Sequence, residues 1–257
     1  MNETLDVILK RRSVRAYQDR PVEREVVDTI IHCAMRAPTA GNMMLYSIVE
    51  IADQALKDAL AESCDHQPFI AKAPLVLLFL ADYQRWFDFF MASDVPAFCE
   101  AQGQTMRRPG EGDMLLACCD ALIAAHTAVI AAEALGVGSC YIGDIMERYE
   151  YHRELLDLPQ YTFPVALLCF GYPKPALSEK ALTPRFPGEY IHFKDGYRRL
   201  DKDALREMYA PYERPHYTGD AANLGQLYYA RKFSADFSVE MTRSVRAALD
   251  AWAGREE

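Results

Sequence analysis

The chain contains, at residues 114–143, the stretch MLLACCDALIAAHTAVIAAEALGVGSCYIG, which predicts the centre of its fold. Residues 114–135 are almost entirely apolar and rich in alanine. The polar interruptions are Asp120, His126, Thr127 and Glu133. A helix without a polar face is expected to be buried on most sides. Gly136 is a helix-ending residue, and residues 139–142 have the composition of a short strand. The stretch therefore predicts a central core helix that leads directly into a sheet.

The segments on both sides predict helices that alternate with short buried strands. Apolar residues at helical spacing predict helices at residues 4–10, 21–34 and 55–63. Short apolar runs rich in branched residues predict strands at 47–51, 75–81 and 162–171. The sequence therefore predicts a sheet with helical connections.

Three other segments lack this pattern. Residues 81–112 hold six aromatic residues followed by a polar run, and we interpret them as an irregular, mobile excursion over a pocket. Residues 172–189 contain four prolines and predict a connection without regular structure. Residues 203–257 predict a polar, mostly helical tail without strands, which needs a surface to pack on.

Composition and charge exclude several classes of protein. The 257 residues are 51% hydrophobic and 25% charged, which is ordinary globular usage. A net charge of -9 argues against a nucleic-acid partner. The acidic N-terminus does not resemble a secretory signal, and no stretch predicts a membrane span. Seven cysteines without regular spacing fit a reducing compartment, so we expect a cytoplasmic protein without a membrane partner.

Three separated segments have the residue types that hold a phosphorylated planar ligand. Residues 11–15, Arg-Arg-Ser-Val-Arg, offer guanidinium groups and a hydroxyl for a phosphate. Residues 38–42, Pro-Thr-Ala-Gly-Asn, form a loop of small residues with two hydrogen-bonding side chains. Residues 135–143 contain glycines that bring a strand edge close to its neighbour.

Each of these segments also has an ordinary structural interpretation. The arginines fit a solvated helix end, the loop fits a helix-to-strand turn, and the glycines fit a helix stop followed by a strand. The third segment lacks the strand-before, helix-after context of a dinucleotide fingerprint. Only the occurrence of all three together favours a binding site.

In order and spacing, these elements resemble the nitroreductase family of FMN enzymes over nearly the whole chain. Residues 11–15, followed by Pro21, are similar to that family's Arg/His-Arg-Ser-x-Arg element. Residues 37–42 resemble its Ala-Pro-Ser-x-x-Asn loop, and 136–143 its Gly-Leu-Gly-x-x-Tyr/Trp-Ile-Gly strand. Gly-Tyr-Pro at 171–173 and Thr-Pro-Arg at 183–185 resemble its closing motifs. The length and long tail are closer to the larger, NADPH-preferring branch of oxygen-insensitive nitroreductases and flavin reductases.

The resemblance implies a role for each matching residue. Arg11, Arg12, Ser13, Arg15 and Arg185 are expected to hold the FMN phosphate and ribityl end. The residues expected at the isoalloxazine are Thr39, Asn42 and Gln67 on the loops, and Tyr141, Ile142 and Gly143 on the strand, with the Gly143 amide directed at flavin N5. No catalytic side chain is required, because flavin N5 carries the hydride. No metal ligands are expected.

The resemblance also implies the architecture and the reaction. We expect an α+β fold with a central mixed sheet flanked by helices, built as an intertwined homodimer. Residues 1–200, with the excursion at 83–112, would form the FMN-binding domain, and residues 201–257 a helical extension that packs on the dimer partner. NADPH or NADH would donate the hydride, and a small planar nitroaromatic, quinone or flavin would accept it.

Departures from the family pattern leave alternatives open. Thr183 replaces a lysine, Met44 stands where many relatives have glutamine, and the excursion is longer than expected. Reductive dehalogenation, flavin modification or non-enzymatic flavin binding are therefore the alternative functions. Arg231 and Lys232 would meet a dinucleotide phosphate, although a solvated helix face is the simpler interpretation.

Overall fold

The computed structural model describes residues 2–175 and 181–255. These residues form eleven α-helices and four strands. The helices are α1 (Glu3–Lys10), α2 (Arg24–Met35), α3 (Gln54–Ser63), α4 (Pro68–Ala71), α5 (Gln84–Ala92), α6 (Val95–Glu100), α7 (Glu111–Ala134), α8 (Tyr149–Leu155), α9 (Lys202–Tyr209), α10 (Leu224–Tyr228) and α11 (Asp236–Trp252). The strands are β1 (Tyr46–Glu50), β2 (Leu75–Asp82), β3 (Gly138–Ile142) and β4 (Thr162–Gly171). The chain divides into two compact units, Met1–Lys180 with Glu240–Glu257, and Ala181–Val239.

The sheet has the strand order β1-β2-β4-β3. Every neighbouring pair in this ladder is antiparallel. Parallel pairing within the described residues is confined to a single bridge between Ser13 and Ser139, which adds the N-terminal segment beside β3. All residues of β2 and β4 are buried, because helices cover both faces of the sheet. The predicted α+β fold is confirmed, but the four strands pair antiparallel throughout and do not form the predicted mixed sheet.

Alternate residues of β2 face two hydrophobic clusters. Leu77 and Phe79 belong to the larger cluster, which includes the buried alanines of α7. Val76 and Leu78 belong to the other cluster, on the opposite face, with residues of α3 and α4. The period of two residues in a strand explains this division.

Helix α7 packs against β2, β3 and β4 in the larger cluster. Its small side chains allow close approach to the sheet, and Ala117, Ala124, Ala125 and Ala128 are completely buried. By length and composition, α7 is the one helix among the described residues that is apolar enough to cross a membrane. Packing on the sheet accounts for one face only, because Leu115, Leu122 and Ile123 are exposed, so the prediction of a helix buried on most sides is wrong for this chain by itself.

One part of the predicted secondary structure is wrong. Residues 81–112 are mostly helical, since α5 and α6 occupy them and α7 begins at Glu111. Trp86, Phe87 and Phe90 on α5 pack against the larger cluster, and Trp86 Nε1 donates to the Met43 carbonyl at 2.7 Å. The helices were missed because they are short and the polar, glycine-containing run after residue 100 was taken as typical of the whole segment. Elsewhere the predicted helices and strands lie within three residues of those observed.

The C-terminal residues divide between the two units. On α11, Ala248, Ala251 and Trp252 are buried in the larger cluster, and Trp252 packs edge-to-face on Tyr161 at 5.8 Å. The unit Ala181–Val239 contains α9, α10 and a π-helical turn at Tyr229–Phe233. The proposed domain boundary at residue 200 stays a prediction.

Candidate functional site

The segment of residues 11–17 lies directly beside β3. Val14 N–H donates to the Ser139 carbonyl at 2.8 Å, and the Tyr17 hydroxyl donates to the Val14 carbonyl at 2.8 Å. Val14 is only 2% exposed. A Cβ at Gly138 would lie 2.5 Å from Val14 Cγ2, so glycine is required for this close approach. The structure therefore brings the first predicted segment against the third.

This pairing places a group of cations at one edge of the sheet. Within the described residues, neither Arg11 nor Arg15 forms an ion pair with a carboxylate, and Arg15 lies 5.9 Å from the centre of the Phe69 ring. Burial raises the pKa of Glu133, while the charges of Arg11 and Arg12 oppose that rise. A cavity of about 240 Å³ lies here. It is lined by Lys10, Arg12, Val14, Glu133, Gly136, Gly138 and Pro173.

Gln67 lies close to the end of β3. Its Nε2 donates to the Cys64 carbonyl at 2.9 Å and to Asp144 Oδ2 at 2.6 Å. Asp65 and His66 have φ of 57° and 50°, a left-handed turn that positions Gln67 after α3. The turn after α3 is thus joined to the residue that follows Gly143.

The three predicted strand residues differ in exposure. Tyr141 is 37% exposed and Gly143 is also exposed, whereas the Ile142 side chain is 1% exposed and packs in the smaller cluster. A ligand along this strand would therefore meet Tyr141 and Gly143, and only the backbone of Ile142.

The loop that carries Thr39 and Asn42 is anchored to α7 by Asp120. The Thr39 hydroxyl donates to Asp120 Oδ2 and accepts from the Met44 N–H at 2.8 Å. The same carboxylate accepts from the N–H groups of Ala40 at 3.1 Å and Leu45 at 3.2 Å. The hydroxyl of Thr39 is therefore engaged within the protein, while Asn42 is exposed at φ 57°.

Sequence reasoning did not assign a role to Asp120, which is 3% exposed. The sequence did contain an indication of this role, because Asp120 is an acidic residue in an otherwise apolar helix. A buried carboxylate requires several hydrogen-bond donors, so a lone acid in such a helix indicates a nearby loop that supplies them.

Arg185 belongs to the unit Ala181–Val239, and its guanidinium donates to the carbonyls of Thr183 at 3.1 Å and Pro184 at 3.4 Å. A cavity of about 500 Å³ lies within the same unit. Its lining includes Tyr228, Arg231 and Lys232. Convergence of Arg185 with the N-terminal arginines stays a prediction.

A buried carboxyl group that the sequence did not single out lies one turn after Gly143. Glu147 is 5% exposed, and its Oε1 atom has no hydrogen-bond partner among the described residues. Burial, followed by the nearby Asp144 and Asp65 carboxylates, raises the pKa of Glu147 to about 7. Glu147 is therefore substantially protonated near neutral pH.

The comparison with known families matches residues 8–172 to the model described as the nitroreductase family. The chain belongs to the nitroreductase family. The matched range, residues 8–172, contains all the predicted site residues except Arg185. The region of close pairing between residues 11–17 and β3 lies within it.

Three relatives illustrate the similarity. The first is the protein named FMN reductase [NAD(P)H] of Bacillus subtilis (strain 168). It is 33% identical over 213 residues, which cover 83% of this chain and 81% of that protein. The oxygen-insensitive NADPH nitroreductase of Salmonella typhimurium is 30% identical over 205 residues, covering 80% of this chain and 79% of that protein. The solved structure of NfrA2 from B. megaterium is 30% identical with a TM-score of 0.80, and the match covers 98% of both chains.

Proposed function

We propose that this chain is an FMN-dependent NAD(P)H oxidoreductase that reduces small planar acceptors such as nitroaromatics, quinones or flavins. One observation carries the proposal. The Arg-Arg-Ser-Val-Arg segment lies along the glycine-flanked strand β3, so a cationic group and an exposed strand end meet at one edge of the sheet. The family membership and the names of the relatives support the same reaction.

The cationic edge fits the phosphate of FMN. Arg11 and Arg15 carry positive charges that no carboxylate of the described residues neutralises by direct pairing. A phosphate dianion would supply that counter-charge and accept bidentate hydrogen bonds from guanidinium groups. Arg12 and Ser13 would complete the donor set.

The neighbouring strand end fits the planar ring. Tyr141 and Gly143 are exposed, and Gln67 lies beside them through its bond to Asp144. When bound, FMN would supply the redox chemistry, taking a hydride at N5 from NAD(P)H and returning it to the acceptor in a second half-reaction. The Gly143 amide would orient N5, and hydrogen-bond donors beside the ring would stabilise negative charge on it.

The loop at residues 38–42 would contribute a fixed backbone to the binding site, because the Thr39 hydroxyl is already hydrogen-bonded within the protein. Asp120 holds Thr39, Ala40 and Leu45, so the backbone of this loop is fixed before any ligand binds. Asn42, exposed on the same loop, would donate to or accept from the pyrimidine edge of the ring.

The assembly and compartment are part of the proposal. Leu115 is 68% exposed on α7, and Leu122 and Ile123 are 45% and 40% exposed. An apolar surface of this kind favours a homodimer. Within the predicted extension at residues 201–257, the end of α11 packs on this chain's own core, so only the part before residue 240 would pack on the partner. The acidic charge and cysteine usage favour a cytoplasmic location without nucleic-acid or membrane partners.

NADPH rather than NADH would use the cations of the second unit. Arg231 and Lys232 line the cavity of about 500 Å³ with Arg214 and Tyr228. Guanidinium and ammonium groups beside an aromatic ring suit an adenine nucleotide with an extra phosphate.

The proposal is tested by reconstitution with FMN. The purified protein should bind FMN with quenching of flavin fluorescence, and its flavin should bleach with NADPH in the absence of oxygen. Arg15→Ala should weaken FMN binding by roughly tenfold or more, since a charged hydrogen bond is lost. Arg246→Ala, at an exposed site on α11, is the matched control and should bind as the wild type does.

Two outcomes would contradict this function. A colourless protein that FMN does not reconstitute would refute the flavin site. Tight FMN binding without steady-state NAD(P)H oxidation by any of the three acceptor classes would instead indicate a flavin-binding protein.

A further inference from the structure

Glu147 lies in an arrangement that the flavin site as described does not explain. It follows the 3₁₀ turn Asp144–Met146, which begins directly after Gly143. The side chain is 5% exposed, and Oε1 has no hydrogen-bond partner among the described residues. A buried carboxylate in such a place would be an uncompensated charge, which proteins avoid by protonation.

The groups around Glu147 are predominantly acidic. Its carboxyl is within hydrogen-bonding reach of the Asp144 carboxyl, with which it can share a proton. The other titratable or charged groups on the surrounding elements are Asp65 and Cys64 after α3, Arg148 and His152 at α8, and Glu240 on α11.

Two of these groups do not neutralise Glu147. The His152 ring is engaged with Ser63 Oγ at 2.8 Å and the Ile145 carbonyl at 2.9 Å, and burial lowers its pKa. Arg148 stacks on the Tyr151 ring, with its guanidinium 4.6 Å from the ring centre. The neutral acid is therefore the form of Glu147 that this environment favours.

Asp144 connects this acid to the flavin site. Its Oδ2 accepts from Gln67 Nε2 at 2.6 Å, and the same Nε2 donates to the Cys64 carbonyl. Both hydrogens of the Gln67 amide are thus used, which leaves Oε1 as the atom that can face a ligand. The N3–H group of an isoalloxazine ring is a donor that such an oxygen would accept.

We propose that Glu147 is a positioning residue whose proton, donated to Asp144, holds the Gln67 amide with its carbonyl oxygen toward the flavin. The proposal rests on the proposed FMN function. Loss of this proton places two adjacent negative charges beneath Gln67. The repelled Asp144 carboxylate then no longer fixes the amide, so FMN binding weakens as the pH rises.

The pH dependence has a defined direction. The pKa of Glu147 is raised to about 7, so the proton is present below that pH and lost above it. FMN affinity should fall about fivefold from about pH 5.5 to about pH 8.5, the ratio expected for one ordinary hydrogen bond. Glu147→Gln keeps a neutral donor toward Asp144, so its FMN affinity should stay near the low-pH wild-type value across the range.

The experiment combines two measurements. FMN is titrated into the apoprotein by fluorescence quenching over this pH range, for the wild type, Glu147→Gln and Glu154→Gln. Glu154 is an exposed glutamate on α8, and its variant should reproduce the wild-type pH profile. The second measurement is the infrared spectrum of the wild-type apoprotein minus that of Glu147→Gln. At about pH 6 this difference should contain the carbonyl band of a protonated carboxylic acid, and at about pH 8.5 the band should be absent.

The outcomes separate this proposal from the function on which it rests. A wild-type FMN affinity independent of pH, or an unchanged pH dependence in Glu147→Gln, would overturn the role of Glu147. Absence of the carboxylic acid band at low pH would overturn it as well. Absence of FMN binding at every pH would refute the flavin site, while the infrared band would still report whether Glu147 holds a proton.

Discussion

Replacing Gly138 by alanine should displace the arginine segment from β3 and weaken FMN binding. The added Cβ would lie 2.5 Å from Val14 Cγ2, 2.9 Å from its Cβ and 3.2 Å from its Cγ1. Val14 is β-branched and buried, so its side chain has little freedom to move aside. The backbone of residues 11–15 must therefore shift away from the strand.

The magnitude follows from overpacking and from one threatened hydrogen bond. Inserting a methyl group into a well-packed site costs about 1–3 kcal/mol of unfolding free energy. The bond from Val14 N–H to the Ser139 carbonyl, 2.8 Å long, would lengthen, which adds about 1 kcal/mol. Displacement of Arg11 and Arg15 should also weaken FMN binding by roughly tenfold, which corresponds to about 1.4 kcal/mol.

The assay is urea unfolding of the apoprotein together with FMN titration. Gly112→Ala is the matched control, since Gly112 lies in the first turn of α7 with nothing within 4 Å of an added Cβ. That variant should be neutral or more stable by up to about 1 kcal/mol.

A second variant tests the cause directly. Val14→Ala in the Gly138→Ala background removes the contacts at 2.5 Å and 3.2 Å but keeps the one at 2.9 Å. The double variant should therefore be less destabilised than the sum of the two single variants. Wild-type stability and FMN affinity in Gly138→Ala, or additive single effects, would refute the reasoning.

Three further predictions concern other parts of the molecule. Asp120→Ala should lower the unfolding free energy, measured by urea titration, by about 2–4 kcal/mol. The reason is that the Thr39 hydroxyl and the Ala40 and Leu45 N–H groups lose a common acceptor. A loss under about 0.5 kcal/mol would contradict the anchoring role. Glu147→Gln should be as stable as the wild type at about pH 4 and more stable by up to about 3 kcal/mol at about pH 8. The folded-state pKa of Glu147, about 7, lies above the ordinary value of 4.5, so the free-energy cost of ionising the buried acid accumulates between those two pH values. A stability difference that does not grow with pH would be inconsistent with a raised pKa. Arg231→Ala should raise the KM for NADPH by roughly five- to tenfold and leave the KM for NADH unchanged, and equal changes for both donors would show that Arg231 does not select the extra phosphate.

Much of the fold could be predicted because its signals are local. The strand at residues 162–171 was predicted with the bounds observed, since a short run of branched apolar residues is typical of a buried strand. Helix α7 was predicted to within three residues at its start, because alanine-rich apolar sequence predicts a helix buried on most sides. The helices in 81–112 were missed because they are short and adjoin a polar, glycine-containing run that is typical of irregular structure.

For the site, the motifs predicted which residues belong together but not how they contact one another. The clash that a side chain at Gly138 would make with Val14 explains a glycine that the sequence marked only as permissive. Asp120 lies 81 positions from Thr39, and only packing of α7 against the α2–β1 loop brings them together.

By itself, the sequence determined the alternation of helices and strands, the acidic charge and the order of the family motifs, because composition and short-range periodicity are properties of neighbouring residues. Only the tertiary structure decided which carboxyl groups are buried, which donors reach them and which arginines pair with carboxylates. Burial and hydrogen bonding depend on residues distant in the chain, so the roles of Asp120 and Glu147 became visible only once the helices were packed on the sheet.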